Sequence, residues 1–164
     1  MHIVINNFQR DLALSHTKKE IRKIVEAVLQ VEGEGRKDAT SFDEVAIRFV
    51  SDRVMCAMHQ EFFEDPSPTD CISFPIDASD DIGYKVLGEV VVCPKTAITY
   101  AEKHQKDPYE EVTLYIIHGI LHLLGYDDLE VKARKKMRLL EKKCFTFLKK
   151  EGLILRCRRV SETA

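Results

Sequence analysis

Apolar and polar positions follow two rhythms along the chain, and the shifts between them lay out its elements. Weak alternation over His2 to Ile5 reads as an opening strand, closed by the turn residues Asn6 and Asn7. Thr17-x-x-Glu20 has the form of a capping box. Ile21, Ile24, Val25, Val28 and Leu29 then share one face, which predicts a helix to about Val31. Glu32 to Ser41 is polar, contains glycine and has no period, so a mobile loop is expected. Val45, Ile47 and Phe49 alternate with Ala46 and Arg48, predicting a half-buried strand over Glu44 to Val50. Asp52 is placed to cap a helix through Val54, Met55, Met58 and Phe62, which cannot continue past Pro66 and Pro68.

A short strand around Cys71, Ile72 and Phe74 follows, then an acidic turn over Asp77 to Gly83 and a longer strand from Lys85 to Cys93. Pro94 suits the first turn of a helix reaching about His104, whose own side chain is expected to face solvent. Asp107-Pro108 supplies an N-cap and an N1 proline for the next helix, with Glu110 and Glu111 favoured by its dipole. Ala133, Met137, Leu140, Cys144 and Phe147 or Leu148 form the apolar stripe of a last helix that Gly152 stops. The whole reads as an α+β fold. A small mixed sheet of about four strands, the last antiparallel at an edge, packs with about five helices.

The helix after Asp107 is the most apolar. Ile116, Ile117, Ile120, Leu121, Leu123 and Leu124 cover most of its surface, so it should be the buried centre. Two imidazoles interrupt it. His118 and His122 stand four residues apart and leave the same helical face, close enough for one metal ion to bridge them. Gly125 can end the helix in a left-handed turn that returns Asp127 or Asp128 towards the rings. Asp128 completes the ligand set His118, His122 and Asp128. Asp127 is the candidate proton acceptor, with Asp128 the alternative should it not be a ligand. The spacing matches the metzincin zinc motif except that Gly119 replaces the general-base Glu and Asp128 the third His. Three protein ligands leave zinc a fourth position for a water whose pKa falls towards 7.

Composition narrows the setting. The 164 residues suit one domain over residues 1–155 with a basic tail at 156–164. No apolar run approaches the roughly twenty residues of a membrane span, and the amino terminus has no basic-then-apolar pattern; a cytoplasmic protein is expected. Five cysteines form no C-x-x-C pair and read as reduced thiols. Net charge is −2, yet Glu130 to Val160 carries twelve basic residues against three acids. That basic surface is either a solvated face or a contact for phosphates.

HGILHLLGYDD, residues 118–128, resembles the H-G-x-L-H-L-x-G-Y-D-H signature of the YbeY family. Pro68 to Pro75 (PTDCISFP) is similar to that family's PTDVLSFP, and Leu87 to Pro94 (LGEVVVCP) to its LGDIVIC-P strand. The resemblance implies a bacterial metal-dependent endoribonuclease acting in ribosomal RNA maturation. It further implies one Zn²⁺, single-stranded RNA and the ribosome as partners, and no role for DNA or membranes. By the same analogy Glu89 and Asp70 are weaker candidates for the base. Two departures stand out. Phe63 falls where the family carries an Arg regarded as catalytic, which implies weak turnover, and Asp128 falls where its third His is expected. A zinc peptidase of metzincin type and a non-catalytic ribosome-associated protein with a structural ion are the alternatives.

Overall fold

A computed structural model describes residues 1–14, 17–34, 41–76 and 83–157. Most of the polar loop after the first helix, the acidic turn before Gly83 and the tail from residue 158 lie outside the described residues. In chain order the elements are β1 (His2–Asn7), α1 (Lys18–Gly33), β2 (Glu44–Phe49), α2 (Asp52–Phe63), β3 (Cys71–Pro75), β4 (Val86–Val92), α3 (Pro94–His104), α4 (Pro108–Leu123) and α5 (Val131–Lys150). Among the described residues there are thus four strands and five helices, as the periodicity predicts.

The sheet order is β1-β2-β4-β3. β1 and β2 are parallel, β2 and β4 are parallel, and β3 runs antiparallel to β4. The antiparallel pairing therefore falls between the last two strands, but β3 rather than β4 takes the edge. The physical reason is burial: Val90, Val91 and Val92 of β4 are all fully buried, which suits an interior strand covered on both faces. Cys71, Ser73 and Phe74 of β3 stay partly exposed, as an edge permits.

Val45, Ile47 and Phe49 of β2 and Val90 and Val92 of β4 pack into one core cluster with Ile116, Ile117, Ile120 and Leu121 of α4. Fully burying each such side chain contributes about 1.5–3 kcal/mol of transfer free energy before entropy is counted. α1 and α5 complete this layer through Ile21, Ile24, Val28, Met137, Cys144 and Leu148. A smaller cluster of Val50, Met55, Ile72, Val91 and Cys93 seats α2 elsewhere on the sheet.

Two caps differ from the sequence reading. Ser51, not Asp52, is the N-cap of α2, its hydroxyl accepting from the Val54 N–H at 3.3 Å. Asp52 already lies in the first turn, where its charge still favours the helix dipole. At α1, Thr17 is the N-cap residue, but its hydroxyl donates to the Leu14 carbonyl at 2.8 Å instead of closing a capping box. At α4 the expectation holds: the Asp107 carboxylate accepts from the Tyr109 N–H at 2.8 Å, and Pro108 opens the helix.

Candidate metal centre

α4 ends in two backbone bonds that fix everything beyond it. The Gly125 N–H donates to the His122 carbonyl at 3.0 Å and the Tyr126 N–H to the Leu121 carbonyl at 3.1 Å. This is the Schellman pattern, and Gly125 takes the φ of 95° that it needs. The chain reverses there. Asp127 then builds the next turn, its Oδ1 accepting from the N–H groups of Asp128 at 2.6 Å and Leu129 at 3.1 Å. The Arg134 Nε donates to the Asp128 carbonyl at 3.0 Å and holds the turn from α5.

Asp128 is thereby returned to the two rings. Its Oδ2 lies 3.7 Å from His118 Nε2 and 3.8 Å from His122 Nε2, and the two Nε2 atoms are 3.0 Å apart. One ligand atom from each of the three residues lies within 4.8 Å of the others. Donors bound at about 2.0–2.1 Å around a tetrahedral ion stand roughly 3.3 Å apart, so these separations bracket what one ion requires. The outer nitrogens are engaged as ligating histidines require: His122 Nδ1 donates to the Tyr126 carbonyl at 3.0 Å and His118 Nδ1 to Glu141. With both protons directed outward, the two Nε2 lone pairs converge on one point, an arrangement that a cation relieves.

Glu141 is the residue that sequence reasoning missed. It is the sole acid of α5, and it sits beside Leu140 on the margin of the buried stripe. A lone carboxylate among nine lysines and arginines was the available signal. Burial disfavours charge on His118, but the bond to Glu141 and the charges of Glu141, Asp70 and Asp128 outweigh it and raise its pKa.

The sign follows directly. The charged His118–Glu141 pair stabilises the metal-free fold fully below the ordinary histidine value of about 6.5, and this contribution is lost as pH rises through the raised value. A metal must displace the Nε2 proton that gives the ring its charge, while the Nδ1 proton stays hydrogen-bonded to Glu141. Apparent metal affinity is therefore expected to climb with pH through that window and level off above it. Glu141→Gln is expected to move the midpoint to lower pH and weaken the plateau affinity by about 10–100-fold, as read by zinc titration across the window.

A cleft of about 480 Å³ opens over the cluster, lined by Asp70, Ser73, His118, His122, Asp127 and Asp128 among others. His59 and Phe63 of α2 reach its rim. His59 Nδ1 donates to the Ser67 carbonyl at 2.7 Å, which ties α2 to the loop after it. Asp70 lies in the cleft with Oδ1 accepting from the Cys71 N–H at 2.7 Å. The structure does not bring Glu89 there. A bulge between the Glu44–Val86 and Ala46–Glu89 pairs precedes it on β4, and it pairs with Arg48 at 2.6 Å. The site is acidic overall. Burial, reinforced by Asp70, Glu141 and Asp128, pushes the Cys71 thiol well up, so this cysteine stays neutral. His104 is exposed on α3 against Tyr100, as expected.

Gly119 lies between the rings' turns and faces the sheet. A Cβ there would meet Val90 Cγ1 at 2.3 Å, and its carbonyl accepts from the Ser73 hydroxyl at 2.8 Å. The position that carries the general base in metzincins is thus pressed onto β4.

A mixed four-stranded sheet whose central helix ends in a His-His-Asp cluster defines an α+β protein with a site able to hold a metal ion. The family model described as "Endoribonuclease YbeY" matches residues 4–149, and the chain belongs to that family. The Endoribonuclease YbeY of Protochlamydia amoebophila is 46% identical over 158 residues, covering 95% of this chain and 100% of the relative. That of Chlamydia abortus is 33% identical over 159 residues, covering 94% of this chain and 96% of the relative. The solution structure of TM1509 from Thermotoga maritima shares the fold, with a TM-score of 0.57 at 22% identity over 92% of this chain and 94% of that one.

Proposed function

We propose that the chain is a zinc-dependent endoribonuclease that cuts single-stranded RNA in ribosomal RNA maturation and ribosome quality control. The observation that carries the reading is the convergence of His118, His122 and Asp128 beneath an open cleft, in a chain whose family is named for endoribonuclease activity. The three side chains would hold one ion. The chemistry supplied by a bound zinc would be Lewis-acid polarisation of the phosphoryl oxygen and a lowered pKa for the attacking water.

The other steps belong to the protein. Asp127 lines the cleft with Oδ1 committed to its own turn, which leaves Oδ2 to take the proton from the water. Thr69 and Ser73 line the same cleft, but their hydroxyls already donate to Asp70 at 3.2 Å and to the Gly119 carbonyl at 2.8 Å, so towards the strand they accept, as from a ribose 2′-OH. Phe63 puts an apolar ring in the cleft lining where the family signature that the sequence resembles implies an Arg, and slow turnover follows from that reading. The working unit is the domain over residues 1–155, acting in the cytoplasm on ribosomal RNA or the ribosome, with the basic residues 156–164 following it in the sequence. Among the described residues no helix is long and apolar enough to cross a membrane.

A peptidase of metzincin type has less support, because its general base would stand at Gly119, where a side chain runs into Val90. The deciding experiment gives zinc-loaded protein a single-stranded ribosomal RNA fragment, the same sequence as a duplex, and casein. Cleavage of the single strand alone, stopped by a chelator and restored by zinc, is the expected result. Stoichiometric zinc with intact RNA and co-sedimentation with ribosomes would instead make this a binding protein with a structural ion.

A further inference from the structure

The large cleft presents a difficulty to a polyanion. Three carboxylates, Asp70, Asp127 and Asp128, line it, and no lysine or arginine does so among the described residues. A single bound divalent ion offsets only part of that charge, so an RNA strand entering from this side alone would meet net repulsion. Positive charge has to come from elsewhere around the ion.

It stands on the other side of the same two ligands. A separate cavity of about 350 Å³ is lined by His118, Asp128, Arg134, Met137, Arg138 and Glu141. His118 and Asp128 are common to both cavities, so the metal cluster forms the partition between them. Of the two arginines, Arg134 is occupied: its Nε and one terminal nitrogen donate to the carbonyls of Asp128 and Leu129 at 3.0 and 3.3 Å. Arg138 lies one helical turn further along α5, is exposed, and has no such bonds among the described residues. It is also one turn from Glu141, which anchors His118, so its place relative to the cluster is fixed by a helix packed into the core. Beyond it, Lys135, Lys142 and Lys149 are exposed at offsets of three, four and eleven residues, continuing the same charged face of α5.

We propose that Arg138 is a substrate-positioning residue that holds a phosphate next to the scissile one, so that the RNA strand crosses the metal cluster from the β3 cleft onto the basic face of α5. A guanidinium suits this task because it offers a planar pair of donors to one phosphate. The proposal rests on the endoribonuclease reading given above and adds the direction of the strand across the fold. Because Arg138 touches a neighbouring phosphate and not the reacting atoms, its removal weakens binding and leaves the chemical step nearly unchanged.

The test uses the full chain and a fluorescein-labelled single-stranded RNA oligonucleotide. Anisotropy titrations of the zinc-loaded protein on ice, read before the slow cleavage proceeds, give its Kd, and steady-state cleavage by the same protein gives KM and kcat. Arg138→Gln is compared with Arg138→Lys and with Lys23→Gln, an equal charge change on the exposed face of α1. The expected result for Arg138→Gln is a rise of about tenfold in both Kd and KM with kcat within about twofold. The slope of log Kd against log salt is expected to shrink by about 0.7. Bound zinc and the melting temperature are unchanged, Arg138→Lys is intermediate, and Lys23→Gln resembles wild type. If Arg138→Gln is indistinguishable from Lys23→Gln while the wild type binds and cuts RNA, the positioning role is overturned and the endoribonuclease reading stands. A fall in kcat at constant KM overturns it as well. Should the wild type neither bind nor cut the strand, the underlying reading falls first.

Discussion

Replacing His122 with alanine is expected to abolish stoichiometric zinc binding and to lower cleavage of single-stranded RNA by more than about a hundredfold, the upper range for losing even an outer-shell partner of a metal. The residue loses two functions at once. Its Nε2 lies 3.0 Å from His118 Nε2 and 3.8 Å from Asp128 Oδ2, so its absence leaves two donors where three converged. Its Nδ1 also bonds the Tyr126 carbonyl at 3.0 Å, so the ring braces the very turn that returns Asp128. His118→Ala should match it, and the double variant should be no worse than either, because the ligands act as one unit.

A thermal readout separates loss of metal from loss of fold. An ion that binds only the native state stabilises it by about 2.7 kcal/mol at a hundred times its Kd. At roughly 2–4 °C per kcal/mol for a chain of this size, zinc should raise the wild-type melting temperature by about 5–10 °C. His122→Ala should show no such rise while keeping the wild-type far-ultraviolet circular dichroism. A variant that still gains the full shift with zinc would remove His122 from the ligand set.

The elements were legible because their signals are local. Asp107 and Pro108 open α4, the apolar run buries it, and Gly125 ends it, all within a single stretch of chain. The convergence of His118, His122 and Asp128 was legible for the same reason, since the three residues lie within eleven positions. What stayed hidden depends on residues far apart in sequence. Glu141 reaches His118 across 23 positions, and only the packing of α5 on α4 makes that contact. The exchange of edge between β3 and β4 likewise follows from which strand is covered on both faces, a property of the assembled layers. Cap identity failed at short range for another reason: Ser51 and Asp52 are both good caps, and neighbouring residues of equal preference cannot be ranked by type. Thr17 shows the converse, a capping pattern whose hydroxyl found a carbonyl three residues earlier.

Gly119 is where fold and chemistry constrain each other most tightly, and Gly119→Ala is expected to destabilise the protein by about 2–3 kcal/mol despite a gain of roughly 1 kcal/mol in helix propensity. The new methyl would lie 2.3 Å from Val90 Cγ1, 3.1 Å from Cγ2 and 3.3 Å from Cβ. Rotating the valine relieves this only in part, because its Cβ stays 3.3 Å from the new methyl and the turned methyls have to enter a fully buried environment. Val90 is fully buried on the interior strand β4, so the strain passes to the backbone and α4 must back away from the sheet. The Ser73 bond to the Gly119 carbonyl, 2.8 Å long, would stretch with it. Since His118 rides on the same turn, metal affinity should fall too. Val90→Ala removes both offending methyls, so the double variant should recover about 2 kcal/mol relative to the sum of the single changes, measured by urea unfolding of metal-free protein. Additive costs would show that the helix and strand yield without strain. In that case the exclusion of a general base from this position would lose its steric cause, and a Glu at 119 would become a credible route to the peptidase chemistry that the packing now forbids.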